Sequence, residues 1–480
     1  MSEFIPPYPY RFPHEPSIWQ RLKACRKNLI GMWAEGAFDY DFVSTQVFKQ
    51  RIFVCNTPET VQYAFNTRNA AFERKSPSMR HMLQPLIDDG LFISDGEVWR
   101  KRRRIVAPII HVSNTSAFAP VMTDTARELA DRWGALPDGT QIDALAEMAQ
   151  LTAEIICRAI FGQRLGQERT HEIVEGFTDF QKSVSLIDIP SLFALPDWWP
   201  RLRPRSLFRS THRIQRTLDE IIEACRNRVP GTEHSFIRAL LDARDEETGE
   251  LLSNDAIRNE AIVIFMAGHE TTANTMAFAW FLLSQARDVE ARLHEELDRV
   301  LGGRTPSLED VPNLVYTRAI IEETLRLYPP IPVLAREAVS DEVIEGQAVP
   351  KRSMLLVVPF LLHRKRGLWE KPDHFMPERF LPGGGGPPSK WAYVPFSIGP
   401  RICAGMAFGL TEAIICLATL AQRFTLELEP DHVVEPVCLV SLRPGEHLPM
   451  RVHHRRQAAK PAMPTQAEKP SAMVCPFGHG

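Results

Sequence analysis

Several familiar organising features are missing from this 480-residue chain. Its eight cysteines, at positions 25, 55, 157, 225, 403, 416, 438 and 475, show no paired spacing and no Cys-x-x-Cys, so neither a disulfide framework nor a zinc site is expected. The N-terminal residues Met1-Ser2-Glu3-Phe4-Ile5-Pro6-Pro7-Tyr8-Pro9-Tyr10 contain no apolar run of signal-peptide or membrane-spanning length. No excess of positive charge exists: 56 Lys and Arg face 59 Asp and Glu, a net charge of −3, which argues against a nucleic-acid or polyanion binder. Between about residues 40 and 450 there is no linker-like composition shift and no internal repeat. Length alone would suggest about three domains, but with 44% hydrophobic residues the chain can build one large core.

What is present centres on Phe396-Ser397-Ile398-Gly399-Pro400-Arg401-Ile402-Cys403-Ala404-Gly405. Gly399-Pro400 bends the chain. A helical pattern begins at about Met406 and runs to about Leu420, so a Cys403 thiolate would sit at a helix N-terminus, where free N–H groups favour negative charge. Gly405 carries no side chain to hold a flat ligand away. The plainer reading is a buried structural cysteine.

Three further stretches carry chemistry. In Gly96-Glu97-Val98-Trp99-Arg100-Lys101-Arg102-Arg103-Arg104, Trp99 and Arg103 are four apart and share a helix face, able to hold a carboxylate together. A merely solvated basic face is the alternative. The longest helical pattern, from about Asn254 to Ala286, holds Ala267-Gly268-His269-Glu270-Thr271-Thr272 at its middle. There a glycine costs about 1 kcal/mol against alanine, Gly268 leaves room beside a ligand plane, and an unpaired Glu270 would be expensive to bury. A threonine pair bonding back to the preceding turn is the structural alternative. Finally, Glu323 and Arg326 are helical i,i+3 neighbours ahead of Tyr328-Pro329-Pro330, and Pro377-Glu378-Arg379-Phe380 follows. The glycines at 383–386 lack the strand–helix setting of a phosphate loop.

The order Phe-x-x-Gly-x-Arg-x-Cys-x-Gly resembles the signature of the cytochrome P-450 superfamily of haem-thiolate monooxygenases, and the other three stretches match its remaining motifs in family order. The resemblance implies a mainly α fold, triangular, with a small β-rich lobe, holding haem b. Cys403 would be the axial thiolate to iron, the ligand type that favours O–O cleavage. Trp99, Arg103, Arg336 and Arg401 would meet the propionates, with Ala267, Gly268 and Gly405 beside the ring, and Phe396 with Ile402 would shield the sulfur. Glu270 and Thr271 would be catalytic, delivering protons in a groove where the helix ladder is distorted, while His269 only packs. Glu323, Arg326 and Arg379 would form a structural cluster. Where the family often has Pro-x-Phe, this chain has Pro108-Ile109-Ile110.

From the resemblance and the absent flavin and Rossmann signatures, electrons are expected from a ferredoxin- or flavodoxin-type donor with its reductase, and O2 is the oxidant. The donor could dock on a basic patch including Arg100 and Arg102. The substrate is expected to be a lipophilic small molecule lined by Met82, Leu83, Leu91, Phe92, Leu186, Val263, Ala267, Val333 and Leu439. A soluble, bacterial-type, cytoplasmic protein without a membrane anchor is expected. A non-catalytic haem sensor, a haem-thiolate isomerase or a peroxide-using enzyme are the rivals. The expected organisation is an N-terminal arm at 1–40, the catalytic domain at 41–452 and a disordered tail at 453–480, its Cys475-Pro476 of no assigned role. Within the domain, 50–55 reads as a strand, 60–67 as a helix and 72–95 as an irregular pocket roof. Residues 115–163 read as continuous helix, 170–185 and 206–228 as a helix pair. Between that pair, the proline-punctuated apolar stretch 187–200 is either a lid edge or satellite core.

Overall fold

The computed structural model describes residues 4–162, 167–184, 188–227 and 234–455. Its axis is the Asn254–Gln285 helix, capped by the Ser253 hydroxyl, which accepts from Ala256 N–H. Most of that helix is buried all round, as expected for a central element. Against it pack the helices Ala144–Phe161, Val315–Leu327 and Met406–Ala421. Phe278 of the axis stacks on Tyr328, centroids 4.0 Å apart, and the Tyr328 hydroxyl donates to Pro7 O at 2.6 Å.

The β-structure is small. A five-stranded sheet runs Phe42–Val47, Gln50–Cys55, Met354–Val357, Leu334–Glu337 and Arg74–Lys75, with one parallel pairing between the second and third. A three-stranded sheet joins Thr140–Asp143, Pro449–His454 and Phe424–Leu428.

The N-terminal segment is docked on the body: Ile30, Trp33 and Phe38 are buried, and Arg11 pairs with Asp373 at 2.9 Å. His453 and His454 belong to a strand, so the ordered body runs past the expected boundary; Cys475 lies outside the described residues. The 60–67 pattern opens as the α-helix Pro58–Gln62 and continues as a π turn, Tyr63–Thr67. The expected continuous helix over 115–163 divides into Val112–Gly134 and Ala144–Phe161, separated by the strand Thr140–Asp143. Asp143 causes the restart, its carboxylate accepting from Leu145 and Ala146 N–H. The helix pair is Gln167–Ser183 and Arg205–Arg226.

The stretch 72–95 is less irregular than its prolines suggest, because Pro77–Ile87 is a helix containing Pro85. A proline at that place leaves the carbonyl four residues earlier without its helical donor. That carbonyl is His81 O, and Arg203 donates to it at 3.1 Å. A guanidinium from a distant segment thus satisfies the group the proline orphans.

Candidate active site

The loop before the Met406–Ala421 helix is held by its backbone. Cys403 N–H donates to Phe396 O at 2.9 Å, and Ile402 N–H to Gly399 O at 3.0 Å. Gly399 has φ +73°, and a Cβ there would lie 2.0 Å from Phe65 O, so no other residue fits without moving backbone. Gly405 N–H points at the Cys403 sulfur. Burial still raises the free thiol's pKa, offset by that N–H and by the charges of Arg103 and Lys75; the helix terminus alone does not make it acidic.

Cys403 is nevertheless solvent-accessible. A sulfur closely surrounded by protein yet accessible lines an interior recess. Ala267 behaves alike: it is exposed at the middle of a helix whose flanking stretches, 256–265 and 272–284, are largely buried. Gly268 does not share this role. A Cβ on it would meet Ile156 Cδ1 at 2.9 Å, so it lets the Ala144–Phe161 helix approach closely and makes no room for a ligand. Gly405 lies beside the thiol, its Cβ position 4.0 Å from Cys403 Sγ and 3.9 Å from Ile110 Cγ2.

Four cations are gathered near this recess. Arg401 stacks on Trp99, its guanidinium carbon 4.5 Å from the ring centroid, and donates to Ser94 O. Arg336 is buried with Nη1 unpaired, over the Phe65 ring at 5.1 Å. Burial, then the like charge of Arg401, pushes its pKa down to about 9. Burial lowers Arg401 to about 10, and also lowers Arg103. Lys75, not anticipated from sequence, is pushed well below its usual range by burial and then by Arg336 and Arg401. Among the described residues none of the four makes an ion pair with a carboxylate. Buried cations that depress one another lack an anion, and a ligand carrying two carboxylates fits that deficit.

The other basic residues of the Gly96–Ile110 helix are neutralised. Arg100 pairs with Glu97 and Glu73, Lys101 with Glu250, and Arg104 with Asp245 and Glu247. Arg102 is buried and bonds Asp89 at 2.8 Å. A free basic patch through Arg100 and Arg102 is therefore not what this helix presents.

On the central helix, Thr271 Oγ1 donates to Ala267 O at 2.5 Å and Thr275 Oγ1 to Thr271 O at 2.9 Å. The helix runs without a break from Asn254 to Gln285, in contrast to the expected distortion. The Glu270 carboxylate is gripped from two other elements: Gln181 Nε2 donates to Oε2 at 2.6 Å and Ser441 Oγ to Oε1 at 2.7 Å. Asn274 Nδ2 in turn donates to Ser441 Oγ at 3.0 Å. His269 is turned away, stacked on Phe265, its pKa lowered by burial.

The structural cluster forms as the sequence implied. Glu323 receives Arg326 Nε at 2.6 Å and Nη2 at 2.8 Å, Arg379 Nε at 3.1 Å and Met376 N–H at 2.9 Å. Arg326 Nη1 also donates to His363 O and Pro372 O. His363 carries this order toward the cysteine loop: Nδ1 lies 3.2 Å from Arg326 O, and Nε2 accepts from Val394 N–H at 2.9 Å. Burial, with Arg326 nearby, lowers its pKa to about 3, so it stays neutral as that arrangement requires. Of the expected pocket residues, Met82, Leu91, Phe92 and Val333 are half-buried, Leu83 is core, Val263 is buried, Leu439 is exposed and Leu186 lies outside the described residues.

An accessible thiol in a helical body, beside cations that lack a carboxylate partner among the described residues, fits the class of haem-thiolate oxidoreductases. The chain belongs to the cytochrome P450 family, with residues 17–446 matched to it. It is 31% identical over 84% of its length to cyclooctatin synthase of Streptomyces melanosporofaciens, covering 87% of that protein. It is 28% identical to pentalenene oxygenase of Streptomyces avermitilis, over 91% of this chain and 94% of that one. Its structure resembles the crystal structure of the cytochrome P450DA heme domain with TM-score 0.76 at 26% identity, covering 87% of this chain and 90% of that one. The chain is thus a haem-dependent monooxygenase with cysteine-thiolate ligation, taking electrons from a redox partner and inserting one oxygen atom from O2 into a lipophilic molecule. Among the described residues no single helix is long and apolar enough to cross a membrane.

Proposed function

We propose that Cys403 is the thiolate that ligates the haem and that Lys75, Arg103, Arg336 and Arg401 hold its propionates. The observation that carries this reading is the accessible sulfur beside cations with no protein anion. The haem supplies the reductive activation of O2; the protein supplies ligation, orientation and protons. The N–H of Gly405 and the positive charges of Arg103 and Lys75 stabilise sulfur as the thiolate. Trp99 keeps Arg401 in place by stacking, and Phe396 contributes the carbonyl that closes the loop.

Protons reach the site through Glu270 and Thr271. The carboxylate, held by Gln181 and Ser441, takes up a proton from solvent water that reaches its half-buried side chain. It releases the proton by rotating toward the adjacent Thr271 hydroxyl, whose present bond to Ala267 O is the resting position. Gln181 lies on the Gln167–Ser183 helix and Ser441 beside the Leu442–Arg443 strand, so the acid's orientation depends on two elements that frame the central helix.

The substrate reading is a compact cyclic molecule, largely hydrocarbon. Its support is the apolar character of Leu91, Phe92 and Val333, together with relatives named cyclooctat-9-en-7-ol 5-monooxygenase and pentalenene oxygenase. We read the electron donor as of the ferredoxin or flavodoxin class; in support, the sheets among the described residues are small and form no dinucleotide-binding unit. A cytoplasmic setting is supported by seven free cysteines among the described residues.

The test is Thr271→Ala in the haem-loaded protein supplied with NAD(P)H, donor and substrate. Haem content and substrate-induced spectral change should be retained, while electrons are diverted from product to released hydrogen peroxide. Unaltered product per NAD(P)H would remove Thr271 from the proton route.

A further inference from the structure

Leu91 and Phe92 lie in a short turn that the chain makes on leaving the Pro77–Ile87 helix. The turn is seated tightly on the central helix. Asp88 takes φ +42°, a conformation side chains rarely adopt, and a Cβ on Gly90 would lie 3.0 Å from both Ile87 O and Val263 Cγ2. Gly90 O accepts from Ile93 N–H and from Ser94 N–H, each at 3.1 Å, which closes the turn on itself.

Three charged side chains grip this turn. Lys75 Nζ stands over the Phe92 ring, 4.5 Å from its centroid, and Arg401 donates to Ser94 O. Both belong to the cations assigned above to the propionates, so one end of the turn is tied to the haem site. The other end is tied to Glu260, which is fully buried on the central helix and accepts Leu91 N–H on both oxygens, at 3.0 and 3.3 Å. Arg102 Nε lies 3.7 Å from the same carboxylate, its Nη2 bonds Asp89 at 2.8 Å, and its Nη1 has no partner among the described residues. Glutamine would accept Leu91 N–H equally well without the cost of burying a charge. What the acid adds is a proton that can be lost.

We propose that Glu260 is a positioning residue of the substrate pocket: its protonated carboxyl group holds the Leu91–Ser94 turn closed over the bound molecule, and its ionisation loosens that turn. Under the turn the group is desolvated, and burial raises its pKa from 4.5 to about 7, with Arg102 and Leu91 N–H opposing and Asp89 adding to the rise. Once the turn lifts, water reaches the carboxyl and the value returns toward its ordinary range. A group raised in the closed state favours closure fully below about pH 4.5, and that contribution is lost as pH rises through about 7. Asp88 lies beyond Asp89, within the fields of Arg102, Asp255 and Arg258. Charges on the other helices packed here are spent elsewhere: Arg80 and His81 on Asp197, Asp219 on Arg258, Arg238 on Asp242 and Glu154 on Arg158. That Leu91 and Phe92 face substrate rests on the proposed function; the grip of Glu260 on the turn does not.

Amide hydrogen exchange of the haem-loaded, ligand-free enzyme, read on the peptide spanning 88–94 and corrected for the intrinsic rate, measures closure directly. Protection should fall about 70-fold between pH 5 and pH 8, levelling off above about pH 7. Glu260→Gln should lose this dependence and keep the protection that the parent shows at pH 5. Arg102→Gln removes the opposing positive charge and should move the levelling-off to higher pH. Parent protection that does not change with pH overturns the proposal, as does a pH dependence that persists in Glu260→Gln with full haem content. Should that variant fail to fold, Arg102→Gln decides, and an unmoved profile contradicts the proposal. The second arm is a spectral titration with caryophyllene, a cyclic sesquiterpene. Parent affinity should be weaker at pH 8 than at pH 5, and Glu260→Gln should bind equally at both. Equal parent affinity at the two values overturns the assignment of the turn to the pocket. A silent spectrum counts against the proposed substrate class alone, because exchange in the ligand-free enzyme still decides the role of Glu260.

Discussion

Replacing Glu270 by glutamine removes the titratable acid and keeps the shape of the side chain. The two donors that hold the carboxylate impose the orientation of the amide: its oxygen accepts from Gln181, and its NH2 donates to Ser441 Oγ, which has a lone pair available. Shape and hydrogen-bond count therefore survive, and any effect belongs to the lost acid. Positioned general acids contribute about 10²–10⁴-fold. The lower part of that range fits here because water can reach a half-buried residue, so product formation should fall about 100- to 1,000-fold, or about 2.7–4 kcal/mol in the barrier. Ser441→Ala leaves the acid but removes one donor, and its loss should lie near tenfold, the low end of the range of about 1.5–3 kcal/mol for a hydrogen bond to a charged group. The assay is product formation at saturating substrate with donor, reductase and NAD(P)H, beside a substrate titration showing unchanged binding. Product formation by Glu270→Gln within about threefold of the parent would refute the proton-delivery reasoning.

Two other perturbations follow from the buried carboxylates. Glu260 is fully buried on the central helix, accepts from Leu91 N–H at 3.0 Å, and burial raises its pKa from 4.5 to about 7, with Arg102 opposing. A raised folded-state value means that the stability it contributes is complete below about pH 4.5 and is lost as pH rises through about 7. Glu260→Gln, which can still accept from Leu91, should match the parent at pH 5 and exceed it at pH 8 by about 2–3 kcal/mol; thermal midpoints at the two values check this, and an equal difference at both would contradict it. Glu323→Ala strips two buried guanidinium groups, Arg326 and Arg379, of their shared carboxylate and should cost about 3–5 kcal/mol. Urea unfolding of the haem-loaded protein measures the loss, and an unchanged midpoint would show the cluster to be dispensable.

The parts of the site that could be read from sequence are those where chemistry is written locally. The cysteine loop, the Glu323–Arg326 spacing and the acid–alcohol pair each lie within a turn or two of chain, where spacing fixes which side chains share a face. What escaped was assembled across the fold. Lys75 joins the cation cluster from a two-residue strand, Gln181 and Ser441 reach Glu270 over 89 and 171 residues, and His363, at the C-terminal end of the short Pro359–Leu362 helix, links Arg326 O to Val394 N–H ahead of the cysteine loop. Helical periodicity also could not distinguish Ala267 from Gly268 as the residue facing the recess; the packing of Ile156 decides it. The Pro77–Ile87 helix was hidden because Pro85 is a helix-breaking signal whose orphaned carbonyl is satisfied by Arg203, 118 positions beyond it in the chain. The basic run at 100–104 misleads for the same reason, since its carboxylate partners come from elsewhere.

The central claim is that Cys403 gives its sulfur to the haem iron, and the carbon monoxide spectrum of the reduced protein reads that bond directly. The parent protein should show the thiolate-type band, and Cys403→Ser, purified with its haem, should lack it. A thiolate-type spectrum retained in Cys403→Ser would place the ligand at another residue and contradict the account.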